Sequence, residues 1–247
     1  MSELVVEQVT KSFGDEQVLA DVSFSVKHGE FVSLLGPSGS GKSTLFHLIG
    51  GMYRPDAGTF YLDGNDITGE RGAISYTPQS PALFPWRTIL ENVVLGAEIQ
   101  GKPDYKKARA MLEKAGLAGY EDAYPHQLSG GMRQRVAFVR ALLSPQDFIC
   151  LDEPFSALDE FTRLEMQKWL LNIWEENRQS ILFVTHNIEE ALYLSDRVIV
   201  LSNKPAAIKK EFTLPFERPR DQELLLSEEF LQWKKAIYKE LQVVNHA

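Results

Sequence analysis

The 247 residues contain a single cysteine, Cys150, so no internal disulfide can form. It sits inside the apolar run Phe148-Ile-Cys-Leu151, which reads as core packing and not as a reactive thiol. A reducing, cytosolic compartment fits that usage. Long hydrophobic runs are absent: none approaches the ~20 residues that cross a bilayer. The start, Met1-Ser-Glu-Leu-Val-Val-Glu7, lacks the basic region and apolar stretch of a signal peptide. Membrane association is therefore expected to come through a partner. Basic residues are in deficit, 26 Lys and Arg against 34 Asp and Glu, for a net charge of −8. That balance speaks against nucleic acid as a partner, because such affinity rests on neutralising phosphates. Internal repeats and low-complexity segments are also lacking. What remains is an ordinary globular chain, 44% hydrophobic and 24% charged, able to bury a sizeable core. Its length suits one large α/β domain, or one with an inserted lobe.

One stretch organises the rest. Gly36-Pro37-Ser38-Gly39-Ser40-Gly41-Lys42-Ser43 fits G-x-x-x-x-G-K-[ST], the phosphate-binding loop. The apolar run 31–35 precedes it as a strand, and Thr44 opens a helical run to Ile49. Glycines let the backbone approach phosphates with no Cβ in the way. Successive N–H groups and the helix start attract the anion. Lys42 is expected to reach the outer phosphates, and Ser43 to ligate Mg²⁺.

Along the chain, residues 4–9 and 18–26 alternate as antiparallel strands, with Phe13 and Gly14 in the turn between them. Phe13 either packs locally or stacks on a base. Strands follow at 59–63 and 72–77, the latter ending at Pro78-Gln79. The irregular stretch 80–86, Ser-Pro-Ala-Leu-Phe-Pro-Trp, is either a docking surface or a loop folded onto the core. Helical spacing dominates 88–143, with breaks at Gly116, Gly119 and Pro125. Ser129, followed by Gly130 and Gly131, caps a helix; it offers either a second anion site or simply a cap. The apolar strand that starts at Phe148 ends in Asp152 and Glu153. Ligands gather at the carboxyl ends of such strands. Asp152 is placed there to hold Mg²⁺, and Glu153 to orient or deprotonate water. A helix over 160–177 leads to the strand 181–185 and His186, which is a polar cap or a donor to a terminal phosphate. A helix at 188–194 and a strand at 197–201 are expected to close the sheet. The tail holds a rigid piece at 215–220 and a helix at 223–244.

These motifs, in this order, resemble the ATP-binding-cassette family from about residue 4 to 201. The carriers are the Walker A loop (36–43), the glutamine loop at Gln79 and the signature Leu128-Ser-Gly-Gly-Met132. The Walker B strand with its glutamate (148–153), the turn Ser156-Ala-Leu-Asp159 and the switch His186 complete the set. The resemblance implies an α/β P-loop NTPase core with a parallel sheet, an N-terminal antiparallel β part and an inserted α-helical subdomain. Boundaries are expected at 1–79 and 145–205 for the core, 80–144 for the helical lobe and 206–247 for the tail. It further implies ATP hydrolysis with Mg²⁺, with Phe13 stacked on adenine and Gln79 touching the metal and the attacking water. Ser129 and the Gly131 backbone would hold the γ-phosphate of ATP bound by a second copy, giving a head-to-tail dimer. The stretches 152–159, 184–192, 85–88 and 214–220 are similar to the nitrate, sulfonate and taurine importers, with thiamine-precursor importers as near relatives. The implied partners are a transmembrane permease subunit and, indirectly, a substrate-binding protein, at the cytoplasmic face of the membrane. Two stretches depart from the usual pattern, Ser75-Tyr-Thr-Pro-Gln79 and a short linker at 64–72; neither touches a catalytic position. Non-transport ATPases of the family carry coiled coils, zinc modules or two cassettes per chain, and this chain has one Walker A loop and none of those additions. An exporter cassette is the other alternative.

Overall fold

The computed structural model describes residues 2–242. Two sheets form its frame. The first is antiparallel, in the order β2-β1-β4-β5, from β1 (Leu4–Phe13), β2 (Glu16–Val26), β4 (Ala57–Leu62) and β5 (Asn65–Asp66). The second runs β10-β9-β3-β8-β7-β6. Its parallel members are β3 (Phe31–Leu35), β6 (Ser75–Thr77), β7 (Phe148–Asp152), β8 (Ser180–Thr185) and β9 (Arg197–Leu201).

The continuous apolar look of these strands follows from burial on both faces. Alternation then sorts their side chains. Phe31, Leu35, Ile149, Leu151, Phe183 and Val200 join one core, covered by the helices of the lobe and the C-terminal half. Val32, Leu34, Cys150, Leu182, Val184 and Ile199 join the other, shared with the antiparallel sheet and with α1 (Lys42–Ile49). Cys150 is fully buried there, and burial pushes its thiol far above the usual range. That makes it a packing residue, as its run implies.

Between β6 and β7 lie α2 (Ile89–Val93), α3 (Leu95–Ile99), α4 (Tyr105–Lys114) and α5 (Gly130–Leu142). A Thr88–Glu91 capping box starts α2. Asp104 caps α4 and Ser129 caps α5, each accepting a backbone N–H. The chain continues with α6 (Glu160–Asn177), capped by Asp159, and α7 (Ile188–Leu194), capped by Asn187.

The structure corrects several expectations. The sheet does not close at β9, because β10 (Ile208–Thr213) pairs antiparallel on its outer edge. Lys209, Lys210 and Glu211 hide that strand in the sequence; edge strands carry such charges as protection against further pairing. Part of the segment read as a tail thus belongs to the main sheet. Phe13 is the last residue of β1 and not a turn residue, since β1 runs on through bulges beyond Val6. The strand read over 72–77 pairs only at Ser75–Thr77. The last helix, α8 (Glu228–Gln242), begins after a short 3-10 turn, with the Ser227 hydroxyl accepting the Phe230 N–H at 3.1 Å. Its expected last residues, 243 and 244, lie outside the described residues.

Candidate functional site: a nucleotide cleft at the carboxyl edge of the sheet

Register places the motifs together. Leu35 pairs with Thr185 on one side and Val200 on the other, Asp152 with Val184, and Thr77 with Leu151. The chain therefore leaves β3 at Gly36, β7 at Glu153, β8 at His186 and β6 at Pro78-Gln79 along one edge. Open α/β sheets bind ligands at such an edge.

A cleft of about 370 Å³ opens there, lined by Phe13, Glu16, Val18, Ser38, Gly39, Gly41, Lys42, Ser43, Thr44, Glu153 and Lys204. Gly41 has φ 108, and a Cβ on it would stand 2.9 Å from Val18 Cγ1 and 3.0 Å from Leu19 Cδ2. Only glycine combines that conformation with that approach. Gly36 is packed against Leu201, and Pro37 follows it. The Lys42 ammonium donates to the Gly36 carbonyl at 2.9 Å and to that of Pro37 at 2.8 Å, folded back across the loop. Burial holds it below the usual lysine range, while the Glu153 and Asp152 carboxylates pull it back up. The Ser40 hydroxyl is buried under the loop without a hydrogen-bond partner among the described residues.

Below the loop, burial raises the Asp152 carboxyl above its ordinary range; hydrogen bonds from the Ser43 and Tyr76 hydroxyls oppose the rise, and Glu153 adds to it. The Tyr76 hydroxyl lies 3.3 Å from Asp152 Oδ2 and 3.4 Å from His47 Nε2. Glu153 takes φ 42, a left-handed conformation unusual outside glycine, and its N–H donates to the Val184 carbonyl at 2.9 Å. Its Oε2 lies 3.1 Å from His186 Nδ1. Strained backbone of this kind collects at functional sites. Gln79 donates to the Ser156 hydroxyl at 3.0 Å, which ties the loop after β6 to the turn before α6. Phe13 is 44% exposed at the cleft mouth, meets Tyr53 edge to face at 5.6 Å and has Lys11 Nζ over its ring at 5.4 Å.

Ser129, Gly130 and Gly131 are not brought to this cleft. Ser129 and Gly130 are exposed, and among the described residues none of the three lines it. The Ser129 hydroxyl accepts the Met132 N–H at 3.2 Å, and Gly131 packs against Thr162 of α6.

The family model described as ABC transporter matches residues 19–156. The chain is 43% identical over 241 residues to an uncharacterized ABC transporter ATP-binding protein of Methanocaldococcus jannaschii, spanning 95% of this chain and 89% of that one. It is 40% identical to the aliphatic sulfonates import ATP-binding protein of Bacillus cereus, over 96% of this chain and 94% of that protein. The formylaminopyrimidine import ATP-binding protein of Halalkalibacterium halodurans is 42% identical, over 98% and 95%. A solved dimeric ATP-binding cassette, MJ0796 in a post-hydrolysis state with ADP and Pi, superposes with a TM-score of 0.73 at 32% identity, covering 87% of this chain and all of that one. The chain belongs to the ABC transporter family. It is an ATPase cassette of that family.

The cassette's cleft also holds residues that the motifs do not include. Glu16, Val18 and Lys204 line it from β2 and from the loop after β9. Lys204 lies far from the phosphate loop in sequence; the pairing of β9 with β3 and a bridge between Ala206 and Leu19 of β2 bring its loop alongside. Tyr76 was visible as a departure from the usual glutamine-loop pattern, but its reach to Asp152 was not. The stretch 80–88 resolves residue by residue. Leu83 packs onto the core, while Trp86 is 71% exposed. Buried Asn92 holds the loop by donating to the carbonyls of Phe84, Arg87 and Thr88, and Arg140 donates to those of Pro81 and Ala82. No helix among the described residues is long and apolar enough to cross a membrane.

Proposed function

We propose that this cassette is the ATP-hydrolysing subunit of a membrane importer and works as a head-to-tail pair that sandwiches two ATP molecules. The observation that carries the reading is the meeting of Lys42, Ser43, Asp152, Glu153, Gln79 and His186 at one sheet edge, with Ser129 to Gly131 turned outside that cleft. The relation to a dimeric cassette supports the pairing: the signature of one copy then completes the cleft of the other.

In the proposed mechanism the phosphate loop receives the β- and γ-phosphates on its N–H groups. Lys42 exchanges the Gly36 and Pro37 carbonyls for phosphate oxygens, a trade of neutral acceptors for anionic ones. Phe13 stacks on the base. Ser43 and Asp152 supply hard oxygen donors side by side, and Gln79 lies at the same edge; this set suits Mg²⁺, which keeps waters and substrate phosphates as its other ligands. Bound there, Mg²⁺ would neutralise charge developing on the phosphates. Glu153 orients or deprotonates the attacking water, and His186, 3.1 Å away, holds that carboxylate and reaches toward the γ-phosphate. Ser129 and the Gly131 N–H cradle the γ-phosphate of the partner copy's ATP.

The held loop with outward Trp86 supports docking of a separate permease subunit, which would place the cassette at the cytoplasmic face of the membrane. The sulfonate and formylaminopyrimidine relatives support import of small polar organic molecules, delivered by a substrate-binding protein. No nucleic-acid partner is proposed for so acidic a chain.

Glu153→Gln tests the core of this reading. The variant should bind ATP, lose at least ~100-fold in turnover and elute as a dimer with ATP in size-exclusion chromatography. As bait with ATP on detergent-solubilised membranes, it should recover a multi-spanning membrane protein. Wild-type turnover in the variant would remove Glu153 from its role, and recovery of soluble partners alone would overturn the importer.

A further inference from the structure

The phosphate loop accounts for one end of the cleft and Phe13 for the other. Between them the lining carries a charged pair that the mechanism leaves unused. Glu16, the first residue of β2, and Lys204, in the loop after β9, meet at the rim, where Lys204 Nζ donates to Glu16 Oε1 at 2.8 Å. Their loop is already fixed by backbone bonds: the Ala206 N–H donates to the Val18 carbonyl at 2.8 Å, and the Ala20 N–H to the Ala206 carbonyl at 2.9 Å. The two side chains are 63% and 38% exposed, and an ion pair that open to water adds little stability. As a clip between the sheets the pair is redundant.

As part of the cleft it is not. Among the described residues Lys42 and Lys204 are the two cations of the lining. A nucleoside triphosphate laid from Phe13 to Lys42 places its ribose and α-phosphate in the span between. That span presents hydroxyl donors and an anionic ester. A carboxylate only accepts and an ammonium only donates, so the pair is the chemical complement of both. We propose that Glu16 and Lys204 form a ribose and α-phosphate subsite, in which Glu16 accepts from a sugar hydroxyl and Lys204 donates to the α-phosphate. The proposal rests on the ATPase reading and deepens it. Nucleotide entry would exchange the rim ion pair for two contacts to the ligand.

Equilibrium titration of the full chain with ATP and with 2′,3′-dideoxy-ATP, in EDTA so that nothing is hydrolysed, tests it. The wild type should prefer ATP by about ten-fold or more, the worth of one charge-assisted hydrogen bond. Glu16→Ala should bring that ratio close to one. The ratio is the readout, because removing Glu16 also releases Lys204. Lys204→Ala should weaken both ligands by about ten-fold and leave the ratio as it was. Melting temperatures of both variants should stay near the wild type's, which separates a lost contact from a loosened fold. An unchanged ratio in Glu16→Ala, no preference in the wild type, or unchanged affinities in Lys204→Ala overturns the subsite. A wild type that binds neither ligand, with Lys42→Ala no different, would instead overturn the nucleotide cleft itself.

Discussion

The cassette contains two glycine-rich helix starts, and they are built to opposite ends. The loop 36–41 ahead of α1 is enclosed by its own chain: Val18 and Leu19 close on Gly41, Leu201 on Gly36, and Lys42 satisfies two loop carbonyls. Two carboxylates, Asp152 and Glu153, stand below it. The start of α5 at Ser129 to Gly131 has no such enclosure beyond Thr162, which packs on Gly131. Nothing stands within 4 Å of a Cβ placed on Gly130, and the cap is satisfied by Ser129 itself. Each start offers N–H groups to an anion. On the proposed function, one is a cradle with its own catalytic acids, and the other is half of a site that a second molecule completes. The same local chemistry would then serve binding in one place and coupling between subunits in the other.

The largest expected break in that comparison is Lys42→Ala. Several charge-assisted bonds to phosphate are lost, so ATP affinity should fall by at least ~100-fold, measured by titration in EDTA. The variant should still fold, since Lys42 is held only by two carbonyls of its own loop. A fall below about three-fold would mean that the loop binds phosphate through backbone alone.

Glycine-to-alanine changes sharpen the contrast. At Gly41 alanine meets a left-handed φ of 108 and a Val18 methyl at 2.9 Å. Stability should drop by about 2 kcal/mol, and adding Val18→Ala should restore the steric share but not the conformational one. At Gly130 the same change meets open space at an ordinary helix start, and denaturant titration should find it within about 0.5 kcal/mol of wild type. Equal losses at the two positions would dissolve the distinction. Gly131→Ala lies between them. Its Cβ would approach the Thr162 Cγ2 at 2.8 Å, a methyl that Thr162→Ser removes. ATP binding to the monomer should stay within about two-fold, while hydrolysis falls by about ten-fold. In the double variant the hydrolysis defect should persist if, as proposed, the obstructed group is the partner's phosphate and not the neighbour within the chain.

Much of this was legible in the sequence for a simple reason: phosphate chemistry needs particular residues at fixed offsets. The loop 36–43, the acids ending β7 and the cap at Ser129 are local patterns, and α6 runs over the very residues its helical spacing marks. Long-range placement was not legible. The edge strand β10 reads as a charged tail because its support, the ladder to β9 and the packing of Phe212 on Trp233 of α8, is tertiary. Lys204 has no motif around it and gains its position from sheet order and from the bonds of Ala206 to β2. The left-handed backbone at Glu153 has no sequence signal either, for glutamate is not a residue chosen for that conformation. Tyr76 is a partial case. The departure at 75–79 stood out, yet its meaning depended on Asp152 lying on the neighbouring strand.

The smallest effect tests the second helix start by itself. Ser129→Ala removes the hydroxyl that accepts the Met132 N–H at 3.2 Å. Loss of an N-cap costs about 1 kcal/mol, so the melting temperature should fall by roughly 2–4 °C in a chain of this size. Ser129→Asn should recover most of that loss, because asparagine caps as well as serine. Stability and function should then part company. Asparagine restores the cap but is bulkier at the exposed point that the proposed pairing offers to the partner's γ-phosphate, so the melting point should return while ATP turnover remains below that of the wild type. Recovery of both together would mean that Ser129 serves only its own helix, and the contrast between the two glycine-rich starts would rest on Gly131 alone.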